Sequence, residues 1–246
     1  MGVSLAAVTV AAWIAFLAQT ASPSSMAMNT MSTGPDLAGA AGFIGAWVVM
    51  MAAMMLPSAA PLILLYRAAG PGGRAANMFP LVAGYLLAWA GFGVVVYAAQ
   101  QALGVVFLSS PRLGDARPYA VAGIVAIAGI YQFTPLKQAC LRQCRSPLDF
   151  LMHRWRSAGA FDACRLGVEH GAYCVGCCWG LMAVLVIAGA MSLLWVVLIA
   201  LIVFMEKLMP FGERGAQLTG AGLGLVAVLV AAHPELSTLL RGGIGI

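Results

Sequence analysis

One apolar stretch decides the class of this protein: GAYCVGCCWGLMAVLVIAGAMSLLWVVLIALIVFMEKLM, Gly171–Met209. Charged side chains occur at two of its 39 positions, Glu206 and Lys207, both close to the carboxyl end. A helix of about 20 apolar residues crosses a bilayer, so this stretch is too long for one crossing. Since Gly189 and Ser192 lie near its middle, the sequence predicts two membrane-spanning helices that are separated there.

The composition of the whole chain agrees with this class. The chain is 62% hydrophobic and 9% charged, whereas about a quarter of the residues of a soluble domain are charged. Helices satisfy their own backbone groups in hydrocarbon, and the alternating strands of a membrane barrel are absent from the sequence. We therefore predict an all-α, polytopic transmembrane helix bundle that forms a single domain over residues 1–246.

Seven spans are predicted. They cover residues 3–20, 37–66, 78–103, 119–133, the two halves of 171–209, and 217–232, and the second span is interrupted by Pro57 and Pro61. Ten of the 13 basic residues then lie in loops on one side. Because basic loops stay in the cytoplasm, we expect a cytoplasmic amino terminus, an external carboxyl terminus, and a basic cytoplasmic loop over 134–170 with short interfacial helices. The first span is expected to be an uncleaved anchor.

Six cysteines mark the cytoplasmic end of the fifth span. On a helix with 100° per residue, four side chains share an arc of about 100°: His170, Cys174, Cys177 and Cys178. Upstream, Cys140 and Cys144 stand four residues apart and would also share one face. Closure of the intervening loop would unite both groups, whereas Cys164 has no evident partner and is expected to be inert.

Thiolates select soft or borderline ions such as Cu(I) and Zn(II), and the cytoplasm keeps thiols reduced. We therefore predict a metal site formed by the grouped thiols and the imidazole, with Cu(I) as the expected ion and Zn(II) as the second candidate. Two alternatives remain open, namely thiol redox chemistry and simple packing, because free cysteine is a small hydrophobe.

Methionines form a second sulfur-rich group. Met50 and Met54 are one i,i+4 pair, and Met51 and Met55 are another. Thioethers are neutral, so they can bind Cu(I) in a membrane without the cost of buried carboxylates. The alternative is that they fill gaps in the core. A weaker pattern, Met26, Met28 and Met31, occurs in the predicted outer loop.

Glu206 is a functional candidate because a carboxylate near the end of an apolar span is costly unless it is paired or hydrated. Neighbours on a helix point 100° apart, so Lys207 can extend to the interface while Glu206 turns inward. We expect Glu206 to accept a hydrogen bond from His170 or to bind a coupled proton. The alternative is an interfacial ion pair.

Four motifs together resemble one bacterial family: MMAAMMLPSAAP (50–61), CLRQCRSPLDFL (140–151), HGAYCVGCCWGLM (170–182) and VFMEKLMPFG (203–212). They look like the predicted metal-binding integral membrane proteins, a domain of unknown function of which some members are labelled copper chaperones. The resemblance covers roughly 46–224. It implies metal handling, with copper as the expected metal, at the paired methionines and at five cysteines: Cys140, Cys144, Cys174, Cys177 and Cys178. We expect the protein in the inner (cytoplasmic) membrane of a bacterium. The chain departs from the family at Met191-Ser192, where members tend to have Met-Asn.

Three functions follow from these observations. The first is a non-enzymatic membrane protein that binds Cu(I) and transfers it, in copper transport or in delivery to a membrane copper enzyme or soluble copper carrier. The second is a membrane thiol-disulfide oxidoreductase that uses Cys174 and Cys177. The third is a structural subunit of a membrane complex. No phosphate-binding loop or dinucleotide fingerprint is present, and we expect no nucleic-acid partner.

Overall fold

The computed structural model describes residues 2–21, 37–69, 78–109, 116–157, 159–189 and 192–236. Within these ranges the secondary structure is helical, without strands. The described helices are α1 (Gly2–Ala21), α2 (Leu37–Ala69), α3 (Met78–Ser109), α4 (Arg117–Tyr131), α5 (Pro135–Arg145), α6 (Pro147–Arg154), α7 (Ala160–Gly189), α8 (Leu193–Leu208) and α9 (Gly212–Ala232). The predicted all-α class is confirmed.

In the part of the chain that the structure describes, four helices are long and apolar enough to cross a membrane: α2, α3, α7 and α9. Helices α4 and α5 meet at a 63° bend and would make a fifth span if they act as one. The number of seven spans and the orientation of the termini stay predictions.

The break within the long apolar stretch lies where it was predicted. Helix α7 ends at Gly189, which has a φ of +108° that glycine adopts readily, and α8 begins at Leu193. The start of this region was predicted less well, because the helix begins at Ala160 and not near Gly171. Asp162 in the first turn complements the helix dipole, and the Arg165–Glu169 pair at i,i+4 stabilises the next turn. The carboxyl-terminal part of the predicted 134–170 loop is therefore helical and continuous with α7.

The predicted interruption of the second span is wrong. Helix α2 is helical through both Pro57 and Pro61. Prolines are tolerated in such helices when nearby side chains satisfy the backbone. The carbonyls that lose their helical donor are those of Ala53 and Pro57, and between them the hydroxyl of Ser58 donates a hydrogen bond to the carbonyl of Met55 at 2.8 Å.

Helix α7 has a central position, since it packs against α3, α4, α5 and α8. The α3–α7 contact is the most extensive of all and depends on glycine. A Cβ on Gly84 would overlap the backbone carbonyl of Cys164, and a Cβ on Gly167 would overlap that of Leu81. Small residues allow membrane helices to approach this closely. The close approach holds the cysteine-bearing face of α7 inside the bundle.

Candidate metal centre

One face of α7 is buried and carries the predicted ligands. The exposed fraction of His170 is 3%, and that of Cys174, Cys177 and Cys178 is 1% each. Because this face is buried inside the bundle, its thiols contact other protein groups.

Helix α5 brings a fourth thiol to this face. Cys144 Sγ lies 3.8 Å from Cys177 Sγ, and Cys177 Sγ lies 3.3 Å from Cys178 Sγ. The Cys177 thiol also donates to the backbone carbonyl of Cys174 at 3.2 Å. We call these four residues the thiol cluster. Segments that are 33 residues apart in sequence thus meet, as loop closure predicted.

Cys140, one turn before Cys144 on α5, also approaches α7. A Cβ on Gly176 would lie 2.8 Å from Cys140 Sγ, so this glycine provides the space for the thiol. The hydroxyl of Tyr131 donates a 2.6 Å hydrogen bond to the carbonyl of Gly176. A side chain at position 176 would therefore displace the Cys140 thiol.

Lys207 enters the thiol cluster from α8. Its Nζ lies 2.8 Å from Cys174 Sγ and donates to Ser58 Oγ at 3.3 Å. The side chain is 5% exposed, so the prediction that it extends to the interface is wrong. The physical reason is that α8 directs this position inward, where polar partners on α2 and α7 satisfy the ammonium.

Tyr85 of α3 also contacts the cluster. Its hydroxyl lies 3.0 Å from Cys174 Sγ and 3.3 Å from the carbonyl oxygen of Met55, to which it donates. Cys174 is therefore held between a tyrosine hydroxyl and a lysine ammonium.

Glu206 belongs to a different buried group. Its Oε2 accepts a hydrogen bond from Lys137 Nζ at 2.6 Å, and the same ammonium also donates to Gln132 Oε1. Lys137 and Glu206 are 0% and 2% exposed. The ion pair is therefore buried, not interfacial, and the partner of Glu206 is Lys137, not His170. The reason is that the 63° bend between α4 and α5 turns Lys137 back toward α8.

His170 lies between two aromatic rings. Its ring centroid is 6.0 Å from that of Tyr85 and 5.0 Å from that of Phe150. Its Nδ1 is buried and has no hydrogen-bond partner among the described residues. The imidazole is one helical turn from Cys174 and has an open nitrogen, which leaves its predicted role as a ligand untested.

The paired methionines, Met50, Met51, Met54 and Met55, are all buried in the hydrophobic core. Hydrogen bonds in the described residues link the backbone carbonyl of Met55 to Cys174, both through Tyr85 and through Ser58 and Lys207. Thioether ligation stays a prediction beside packing. Met26, Met28 and Met31 lie outside the described residues. Cys164 is half-buried at the α3–α7 contact, away from the thiol cluster.

Within the described ranges, no three His, Cys, Asp or Glu side chains are already arranged to hold one metal ion. The thiols are neighbours, but as a set of three or more ligands they stay a prediction. Sequence reasoning missed Tyr85, Ser58 and Lys207 as neighbours of the thiol cluster, and it missed Lys137 as the partner of Glu206. An ionisable residue inside an apolar span is a functional candidate by default, and this signal applied to Lys207 as much as to Glu206.

Residues 44–230 match the model of a family described as PpoB2, copper chaperone. No curated protein and no solved structure was found to be similar to the chain.

Proposed function

Because the chain belongs to the PpoB2 family of copper chaperones, we propose that it is a membrane protein that binds Cu(I) and passes it on. The observation that carries the proposal is the meeting of the α5 and α7 thiols inside the bundle, with 3.8 Å between Cys144 Sγ and Cys177 Sγ. The protein acts as a carrier and not as an enzyme.

The chemistry of the donors suits this cargo. Thiolates bind soft ions, and Cu(I) is soft. A metal–sulfur bond of about 2.3 Å allows two sulfurs on one ion to be separated by up to about 4.6 Å. The distances of 3.8 Å and 3.3 Å lie within that limit. Cys177 and either neighbouring thiol, that of Cys144 or that of Cys178, can therefore bind one ion without movement of a helix. Zn(II) is the second candidate ion, but it requires four ligands.

The remaining sulfur groups complete the proposed route. Met26, Met28 and Met31 collect the ion outside the inner membrane, and the buried methionines of α2 carry it inward. A pair of thiolates of the thiol cluster holds it at the cytoplasmic side, and Cys140 and His170, the other predicted donors, lie beside this pair. Donors that become stronger along this route favour inward transfer to a membrane copper enzyme or a soluble copper carrier. The seven spans and the cytoplasmic amino terminus are part of this proposal.

Metal analysis after anaerobic purification tests the site. Wild type is expected to bind about one Cu(I), and Cys174→Ser/Cys177→Ser/Cys178→Ser is expected to bind none. Cys164→Ser is the matched control, because this thiol is away from the cluster, and it should bind as wild type does. Unchanged copper content in the triple variant would remove the thiol cluster from the proposal.

The thiol-disulfide oxidoreductase is the alternative. A helix start favours the reactive thiolate form of a cysteine in its first turn. The helix that carries Cys174 and Cys177 begins at Ala160, so these thiols lie in its interior and do not receive this effect. Catalysed oxidation of a dithiol that Cys174→Ser abolishes would restore the alternative.

A further inference from the structure

The buried charged side chains near the thiol cluster carry one more positive charge than negative charge. Of the lysine, arginine, aspartate and glutamate side chains in the described part of the chain, three are buried: Lys137, Glu206 and Lys207. Lys137 and Glu206 form an ion pair and cancel each other. Lys207 is left with one positive charge.

No carboxylate within the described ranges forms a salt bridge with Lys207. Its two recorded partners are Cys174 Sγ at 2.8 Å and the neutral Ser58 Oγ at 3.3 Å. An isolated charge in a low-dielectric interior is costly unless it is paired. The group that can pair with Lys207 is therefore the sulfur site itself.

We propose that Lys207 is the fixed counter-charge of a two-thiolate site and thereby selects a monovalent soft ion over a divalent one. This inference rests on the proposed function. A monovalent ion with two thiolates carries one negative charge, which the Lys207 ammonium neutralises. A divalent ion with two thiolates is already neutral and would leave the ammonium unpaired. Two sulfur–metal bonds form, the displaced thiol protons pass to water, and the oxidation state of the metal does not change.

Two is the number of donors that the geometry supports. Adjacent pairs of thiols are close enough to share an ion, whereas three donors are not arranged around one point in the described residues. The selection therefore depends on charge and not on a cage of particular shape. Lys207 lies against Cys174, one helical turn from Cys177, and acts on the ion bound by the Cys177 pair through its charge, so it is a specificity-determining residue without being a ligand.

Binding of Ag(I) and Hg(II) to the purified full-length protein separates charge from structure. Both ions form two-coordinate thiolate complexes, but their charges differ by one. In Lys207→Met we expect the affinity for Ag(I) to fall at least about tenfold, while the affinity for Hg(II) does not fall. Lys207→Arg keeps the charge and should bind Ag(I) within about threefold of wild type. Affinities are measured with one equivalent of metal in competition with a small dithiol.

A second uncharged variant keeps the inference testable if the first one does not fold. Lys207→Gln keeps a hydrogen-bond donor toward Ser58 but removes the charge, so it replaces Lys207→Met if the methionine variant does not fold. Equal weakening of both ions in the neutral variants would make Lys207 a structural residue and overturn the inference. Unchanged Ag(I) affinity would overturn it as well. Failure of wild type to bind either ion would instead refute the proposed function.

Discussion

Removal of one partner from the buried Lys137–Glu206 pair is expected to destabilise the protein strongly. At 2.6 Å the gross Coulomb attraction is about 6 kcal/mol at an effective dielectric constant of about 20. Most of it offsets the desolvation of the two groups. Lys137→Met removes the attraction and leaves the Glu206 carboxylate buried, at a cost of about 3–5 kcal/mol. The change corresponds to a fall in melting temperature of about 10 °C.

Thermal unfolding in detergent, followed by tryptophan fluorescence, measures this change. The matched control is the double variant Lys137→Met/Glu206→Leu, in which no buried charge remains. Replacement of a whole buried pair by apolar residues is often neutral, so the double variant should regain most of the lost stability. If the double variant is as unstable as Lys137→Met, the cost comes from lost packing and the assigned role of the charge is refuted.

Three further changes test the approach of the helices. Gly84→Ala should destabilise the protein strongly in thermal unfolding, because its Cβ would overlap a backbone carbonyl of α7. The control is Gly91→Ala in the same helix, whose Cβ meets no atom within 4 Å. It should be neutral or stabilising by about 0.5–1 kcal/mol. Gly176→Ala would place a methyl group 2.8 Å from Cys140 Sγ, so alkylation of this thiol by a maleimide should become faster; an unchanged rate would contradict the assigned contact. Tyr131→Phe removes a hydrogen bond of 2.6 Å and should lower the free energy of unfolding by about 1 kcal/mol. A change smaller than the experimental error would show that this hydrogen bond does not stabilise the fold.

Much of the fold was predictable because hydrocarbon limits the structures that can cross it. The all-helical class and the break near Gly189 follow from apolar length and glycine alone. The continuity of α2 through Pro57 and Pro61 was not predictable in this way. Whether a proline interrupts a helix depends on what packs around it, and a periodicity argument contains no information on neighbours such as Tyr85.

The candidate site was likewise predictable within one helix but not between helices. Helical spacing placed Cys174, Cys177 and Cys178 on one face, and all three are buried together. The partner predicted for Glu206 was wrong. The actual partner, Lys137, is 69 positions away in the sequence, where it appeared to be an ordinary basic residue of a loop. Spacing describes one helix at a time, whereas ion pairs between helices depend on the bend between α4 and α5. Contacts of this kind become visible only in three dimensions.

The burial of two lysines also bears on the predicted orientation. The positive-inside argument treats each basic residue as a charge that faces water or lipid headgroups. Lys137 and Lys207 do not fulfil this condition, because both are buried and engaged with protein groups. Eight basic residues remain on the predicted cytoplasmic side, against three on the other. The asymmetry that predicts a cytoplasmic amino terminus therefore survives the removal of the two charges that serve the interior of the bundle.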